Sequence, residues 1–260
     1  GTLGSTRILT VVEKEVVKVP AEKTFRKEVR YMQGFNNYFR PTEGLTRAEA
    51  AQILANALVE DGYRYDPNFT IRYKDIVGNE WYAKAIRITS QANVFKGYDT
   101  GYFDPHKKIT RAEWIGTLRR FQELERAPGN HMQVRPDHWA MGEIEAAYKE
   151  GWLAIYGQGL ARFNADEFIP RQEVAAVSNK AFNRVLDKTY IHRNSKNLIN
   201  YKDVNPSMWS YEDILCASNG YLHDGKSFWG HKIDYKKDLY NINLDGYTVT
   251  KDKFQRLERR

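Results

Sequence analysis

Three arginines recur at the start of similar segments, and their side chains suit the binding of an acidic group. Arg47, Arg111 and Arg171 each hold the second position of a motif that reads Thr-Arg-Ala-Glu twice and Pro-Arg-Gln-Glu once. The helix dipole disfavours an arginine in a first helical turn by about 0.3–1 kcal/mol, so the recurrence needs a reason. A guanidinium beside the free N–H groups of a helix N-terminus binds a carboxylate or a phosphate. We therefore predict that these arginines bind an anion.

The threonines and glutamates of the same motif have a simpler role. Thr46 with Glu49, and Thr110 with Glu113, have the spacing of capping boxes. In the third copy Pro170 replaces the threonine, which removes the hydroxyl cap but keeps a good helix start. A carbohydrate hydrolase that uses these glutamates as general acid or base is an alternative. It is disfavoured because no second carboxylate recurs at a fixed offset beside them.

A second motif reads aromatic-Lys-Asp, with a tryptophan six residues after the aspartate and an isoleucine five residues later. It occurs at 73–86 and 201–214, and a third copy has Gln133 in place of the aspartate. Its tryptophans hold one phase of equivalent helices, so we predict that they pack in the core or between repeats rather than against sugars. These residues are Trp81, Trp139 and Trp209.

The two motifs alternate along the chain and predict two helices per repeat. After Arg47, apolar residues recur at helical spacing over the next dozen positions. The segments that follow the tryptophans are also helix-like, and the connections between the motifs are rich in turn residues. The fold class predicted from these patterns is mainly α.

Composition and charge limit the classes of partner and of binding site that this chain can have. The 260 residues are 42% hydrophobic and carry a formal charge of +7, which is typical of a globular protein with an anionic partner. The basic residues do not concentrate on one predicted helix, which disfavours nucleic acid. Cys216 is the only cysteine and the histidines are scattered, so we predict no disulfide, no metal site and no cofactor. No apolar run reaches the roughly 18 residues of a membrane span.

Three segments together resemble the S-layer homology family: GLTRAE at 44–49, KITRAE at 108–113 and YKDVNPSMW at 201–209. The resemblance covers about residues 31–220. It implies a pseudo-threefold bundle of helix-loop-helix repeats that has no enzymatic activity and lies outside the cell, in the cell wall or S-layer. The implied partner is an acidic, pyruvylated secondary cell-wall polysaccharide, bound in grooves between repeats. The module would thereby anchor an S-layer or other surface protein within the same chain.

The resemblance also implies roles for single residues. The motif arginines would bind the pyruvate carboxylate, helped by Lys108, which precedes Arg111 by three positions; the equivalent positions hold Gly44 and Phe168. The groove with Arg111 and Lys108 is expected to be the strongest, and the Arg171 groove the weakest. Loop glycines would offer backbone N–H groups, and two aspartates would bind sugar hydroxyls or cap a helix. These residues are Gly34, Gly97, Gly157, Asp75 and Asp203.

The order of the half-repeats leaves two arrangements open. We divide the chain into a linker or strand (1–30), a first half-repeat (31–72), two repeats (73–130 and 131–200) and a C-terminal half-repeat (201–260). In a circular closure, 201–222 would pack beside 34–60, with the Trp209 helix against the Arg47 helix. Otherwise three consecutive repeats start near 73, and 31–60 is an extra element.

Two further expectations concern the C-terminal end and the flanks. Residues 249–254, VTKDKF, are read as a decayed fourth copy of the arginine motif. A peptidoglycan-binding anchor of an outer-membrane protein is a further alternative within the family, and it depends on sequence beyond this chain.

Overall fold

A computed structural model describes residues 24–157, 163–223, 228–229 and 248–250. Seven α-helices dominate this part of the chain, which confirms the mainly α fold. They are α1 (Arg47–Glu60), α2 (Ala83–Gln91), α3 (Arg111–Phe121), α4 (Met141–Lys149), α5 (Arg171–Ala181), α6 (Lys188–Asn194) and α7 (Tyr211–Ser218). None of the described helices is long and apolar enough to cross a bilayer.

Helices α1, α3 and α5 begin at the three motif arginines. Complete capping boxes start the first two, with Thr46 accepting from the backbone of Glu49 and Thr110 from that of Glu113. Pro170 precedes α5 in an extended conformation, so this helix begins without a side-chain cap. The predicted helix starts are therefore confirmed.

Helices α2, α4 and α7 follow the tryptophans, and each packs against a helix that begins at a motif arginine. Helix α2 lies on α1, α4 on α3, and α7 on α5. The expectation that the Trp209 helix packs against the Arg47 helix was wrong. The apolar face of α1, which buries Leu54 and Leu58, is already covered by α2, and α7 instead covers α5.

The start and the end of the described bundle meet through a loop rather than through helices. The backbone N–H groups of Phe39 and Arg40 each donate to the carboxylate of Asp203 at 2.8 Å. In the same way, Asp75 accepts from Phe103 and Asp104 at 2.9 and 2.8 Å. Residues 201–218 therefore bear the same relation to loop 34–40 as residues 73–90 bear to loop 97–104.

The chain just before α1, α3 and α5 forms a ring of backbone contacts. Ile109 donates to the carbonyl of Leu45 at 2.8 Å, and Ile169 donates to the carbonyl of Ile109 at 3.0 Å. A bridge between Gly44 and Pro170 joins the third segment to the first. The three arginine-bearing helices thus start around a common pseudo-threefold axis.

A small sheet lies at the chain ends, in the order β3-β2-β1-β4. Its strands are β1 (Thr24–Glu28), β2 (Tyr221–His223), β3 (Phe228–Trp229) and β4 (Thr248–Thr250). Residues 1–30 were expected to be a linker or an isolated strand. They contain β1, which pairs with both β2 and β4, while residues 1–23 lie outside the described part. Val249 and Thr250 of the expected fourth motif belong to β4, and residues 251–254, where its helix would begin, lie outside the described part.

Candidate binding grooves

The motif arginines form a cyclic set of ion pairs between neighbouring helices. Arg47 pairs with Glu113, Arg111 with Glu173 at 3.0 Å, and Arg171 with Glu49 at 3.2 Å. Each glutamate lies in the first turn of its own helix, two residues after an arginine that reaches the next helix. Sequence reasoning found the glutamates as caps and missed this second role.

The side chains of Arg47 and Arg171 are buried and hydrogen-bonded within the protein. Arg47 is 1% exposed, donates from Nε to the carbonyl of Phe103 at 2.7 Å, and lies 4.3 Å from the ring centre of Tyr98. Arg171 donates from Nε to the carbonyl of Phe39 at 2.8 Å, and burial lowers its pKa. Their recurrence therefore has a structural reason besides ligand binding.

The backbone N–H groups beside Arg47 are also occupied. The N–H of Arg47 donates to the carbonyl of Lys107 and that of Ala48 to Pro105, both at 2.8 Å. Equivalent bonds precede α3 and α5, where Arg111 and Arg171 donate to carbonyls of the next segment. The prediction of free N–H groups for an anion was therefore wrong, because these groups join the ring around the axis.

Arg111 is the most accessible of the three. Its side chain is 14% exposed, its Nη1 donates to the carbonyl of Asn164 at 3.1 Å, and Glu167 lies 3.6 Å away. Burial is the largest single effect and opposes the charge of this guanidinium, but Glu173 and the Tyr156 hydroxyl together outweigh it and raise the pKa of Arg111. Arg111 is therefore held as a cation at the edge of the molecule.

The predicted packing role of the tryptophans was wrong. Trp81, Trp139 and Trp209 are 63%, 51% and 53% exposed. Each tryptophan lies two residues before the start of its helix, so its ring does not share the apolar face of that helix. The next residue along the chain is buried instead, and these residues are Tyr82, Ala140 and Ser210.

Each exposed tryptophan lines a groove together with one arginine–glutamate pair. The Arg47 groove contains Glu113 and Trp139 and has a volume of about 830 Å³. The Arg111 groove contains Glu173 and Trp209 and measures about 360 Å³. The Arg171 groove contains Glu49 and Trp81 and measures about 210 Å³. The same three residue types thus meet at three places around the axis.

The loop glycines and the two aspartates shape the loops beside these grooves. The N–H of Gly97 donates to the hydroxyl of Tyr73 at 3.0 Å, and Gly34 bonds in the same way to Tyr201. A Cβ on Gly97 would lie 2.5 Å from the Tyr73 ring, so only glycine fits. Gly157 ends a short 3-10 turn (Ala154–Tyr156) with a φ of +72°. Both carboxylate oxygens of each aspartate bind backbone N–H groups of a loop.

Comparisons with known proteins agree with this arrangement. The model of the S-layer homology domain matches residues 30–51 and 72–114. This chain belongs to the S-layer homology family. It is 30% identical over 213 residues to a cellulosome-anchoring protein of Acetivibrio thermocellus. The matched region covers 78% of this chain and 43% of that relative.

Two further relatives are surface proteins by name. Cell surface glycoprotein 1 of the same organism is 30% identical over 71% of this chain and 8% of its own length. The surface-layer 125 kDa protein of Lysinibacillus sphaericus is 30% identical over 58% of this chain and 13% of its own length. The chain spans less than half the length of each relative. Its family and these relatives indicate a location at the bacterial cell surface.

The lysine that the family resemblance assigns to a groove lies elsewhere. The Nζ of Lys108 donates to the carbonyl of Gly44 at 3.1 Å, in the ring around the axis. A Cβ on Gly44 would lie 2.9 Å from the Phe168 ring and 3.0 Å from Lys108, so the three equivalent positions crowd together there. Lys107 lines the Arg47 groove instead, 4.9 Å from the ring centre of Tyr98.

The grooves have no metal character. Among the described residues, no group of three or more histidine, cysteine, aspartate or glutamate side chains is placed to hold a metal ion.

Proposed function

We propose that this S-layer homology module holds its parent protein non-covalently on an acidic secondary cell-wall polysaccharide that carries pyruvate ketals. The supporting observation is the threefold recurrence of an exposed tryptophan beside an arginine–glutamate pair in a groove. An indole face packs against the C–H groups of a sugar ring. The paired charges offer donors and acceptors to sugar hydroxyls and carboxylates.

Among the motif arginines, Arg111 is the best placed to contact the ligand directly. Its side chain keeps an exposed fraction of 14% beside Trp209, whereas that of Arg47 keeps 1%. In this proposal Arg47 and Arg171 chiefly hold the groove walls together. Gly34, Gly97, Gly157, Asp75 and Asp203 contribute by shaping the loops.

The carbohydrate-enzyme alternative is not favoured by the position of the motif glutamates. Glu113 accepts from Arg47 and from the Tyr98 hydroxyl, and Glu173 accepts from two nitrogens of Arg111. Because donors of the protein itself occupy these carboxylates, they are poorly placed to exchange a proton with a substrate. The module is proposed to bind and not to catalyse.

Sedimentation with purified cell walls tests the proposal. The chain should co-sediment with intact walls, bind less after mild acid has hydrolysed the ketals, and fail to bind walls stripped of polysaccharide. A carboxylate in a groove is screened less than a run of phosphates, so moderate salt should reduce binding only slightly. Retention on plain DNA with steep salt dependence would favour nucleic acid, and binding to stripped walls would favour peptidoglycan.

A further inference from the structure

Each groove is bordered by the helix that carries its glutamate. These helices differ in the side chains that follow their first turn. Five and nine residues after the motif arginine, α1 has Gln52 and Asn56, whereas α3 has Gly116 and Arg120. In the Arg171 groove the two amides bond to each other at 2.9 Å. In the Arg47 groove these positions supply a glycine and a second guanidinium.

Arg120 is only partly committed to the protein. Its Nε donates to the carbonyl of Val94 at 2.7 Å, and its Nη2 makes a long contact of 3.4 Å to the hydroxyl of Thr117. Its Nη1 lies 3.9 Å from Glu143, which is beyond hydrogen-bond distance. Within the part of the chain that the structure describes, Nη1 therefore donates no hydrogen bond.

The carboxylate nearest to Arg120 already serves another cation. Glu143 is buried and hydrogen-bonded to the Nε of Arg119, which compensates the charge of that arginine. Burial is the main cause that lowers the pKa of Arg120, and Glu143 only partly offsets it. Arg120 thus has Glu143 only as a long ion pair at 3.9 Å, with Glu113 as a further anion in the same groove, and its side chain is still 27% exposed.

Gly116 gives this guanidinium its space. Glycine inside a helix costs about 0.8–1.0 kcal/mol relative to alanine, so its place in the middle of α3 needs a reason. A Cβ at Gly116 would lie 3.3 Å from the Nη1 of Arg120. The missing side chain lets Arg120 fold back over the preceding turn, where it lines the Arg47 groove.

We propose that Arg120, and not the motif residue Arg47, receives the acidic group of the saccharide in the Arg47 groove. This inference rests on the proposed function and names the residue that carries the charge recognition. The ligand chemistry is a sugar that bears a carboxylate or a phosphate, with Trp139 in the same groove available to stack on the ring. Arg47 is excluded from this role by its 1% exposure and its pairing with Glu113.

The test uses the full chain and walls purified from the bacterium that encodes it. Arg120→Gln should bind intact walls about ten- to a hundredfold more weakly, as expected for losing a charge-assisted hydrogen bond. Lys180→Gln is the matched control, because Lys180 holds the equivalent position in α5 and is exposed. It should bind as the wild type does. Unfolding curves of both variants check that the fold is kept.

Treated walls identify the acidic group. Carbodiimide amidation removes carboxylates and spares phosphates, whereas enzymatic dephosphorylation removes terminal phosphates alone. One of these treatments should weaken wild-type binding by a larger factor than it weakens Arg120→Gln, because the variant has already lost the charge contact in the Arg47 groove. Full wild-type binding after both treatments, or equal binding by the variant and the wild type, overturns the inference. Absence of wild-type binding to intact walls would instead overturn the proposed function itself.

A transplant keeps the inference testable if Arg120→Gln does not fold. The double variant Gln52→Gly/Asn56→Arg gives the Arg171 groove the same residue types that Gly116 and Arg120 provide in α3. It should increase binding to intact walls, and the increase should disappear on walls from which the identified acidic group has been removed. No gain in a folded double variant would count against the role of this pair.

Discussion

Arg47, in the first turn of α1, forms an ion pair with Glu113, in the first turn of α3, 66 residues further along the chain. Glu113 at the same time closes the capping box of its own helix. One carboxylate thus fixes the start of α3 and neutralises a buried guanidinium of its neighbour. The other two ion pairs repeat the arginine–glutamate contact around the axis, although Glu173 closes no capping box, so the motif couples each repeat to the next.

The first prediction separates the ion pair from the cap. Glu113→Ala should reduce the free energy of unfolding by about 3–5 kcal/mol, because the buried Arg47 loses its counter-ion. Glu49→Ala should cost clearly less, because Glu49 is 41% exposed and water can replace it beside Arg171. Each change removes one capping box, that of α3 or that of α1, so their difference in urea unfolding reports the ion pair. Equal losses would contradict the structural role assigned to Arg47.

The second prediction concerns the junction between the two ends of the bundle. Asp203→Ala should reduce the free energy of unfolding as much as Asp75→Ala does, by about 1.5–3 kcal/mol or more, because each aspartate accepts two backbone N–H groups. Gln133→Ala, at the equivalent position of the third copy, serves as the control and should have a smaller effect. Thermal unfolding measures all three. A neutral Asp203→Ala would mean that 34–40 and 201–218 do not depend on each other.

The third prediction distinguishes the exposed tryptophans from a buried one. Trp139→Ala should change the free energy of unfolding by less than about 1 kcal/mol, because its ring is half exposed. Trp114→Ala should cost about 3–5 kcal/mol, because Trp114 is fully buried in α3. Wall binding should fall about tenfold for Trp139→Ala, as expected for losing an aromatic contact of a binding site. Unchanged wall binding by Trp81→Ala, Trp139→Ala and Trp209→Ala alike would remove the tryptophans from the site.

The fourth prediction concerns truncation after Asp187. This removes α6 and α7 and the Asp203 contacts to loop 34–40, and it exposes the face of α5 that α7 covers. The shortened chain should melt earlier or aggregate. Trp209 leaves with the deleted segment, so the Arg111 groove should lose binding first. A soluble truncated chain with an unchanged melting temperature would show that residues 188–260 are an independent unit.

The sequence by itself determined the helices and their starts. The spacing of Thr46 and Glu49 specifies a capping box through bonds within four residues, and the apolar periodicity after Arg47 specifies a helix. The repeated motifs are also enough to identify the family. These features depend on neighbours along the chain, so a local pattern is enough to predict them.

Only the tertiary structure decided what faces each motif side chain. An arginine in a first turn looks free in sequence, but Arg47 is neutralised by a glutamate from another repeat. The helical phase of Trp209 suggests a core residue. In the structure Trp209 lies outside the apolar face of α7 and lines a groove with Arg111. The helix partners were also undecided, since α7 covers α5 rather than α1. Such outcomes depend on which surfaces compete for burial between segments that are far apart in sequence, and periodicity along one helix carries no information about its neighbour.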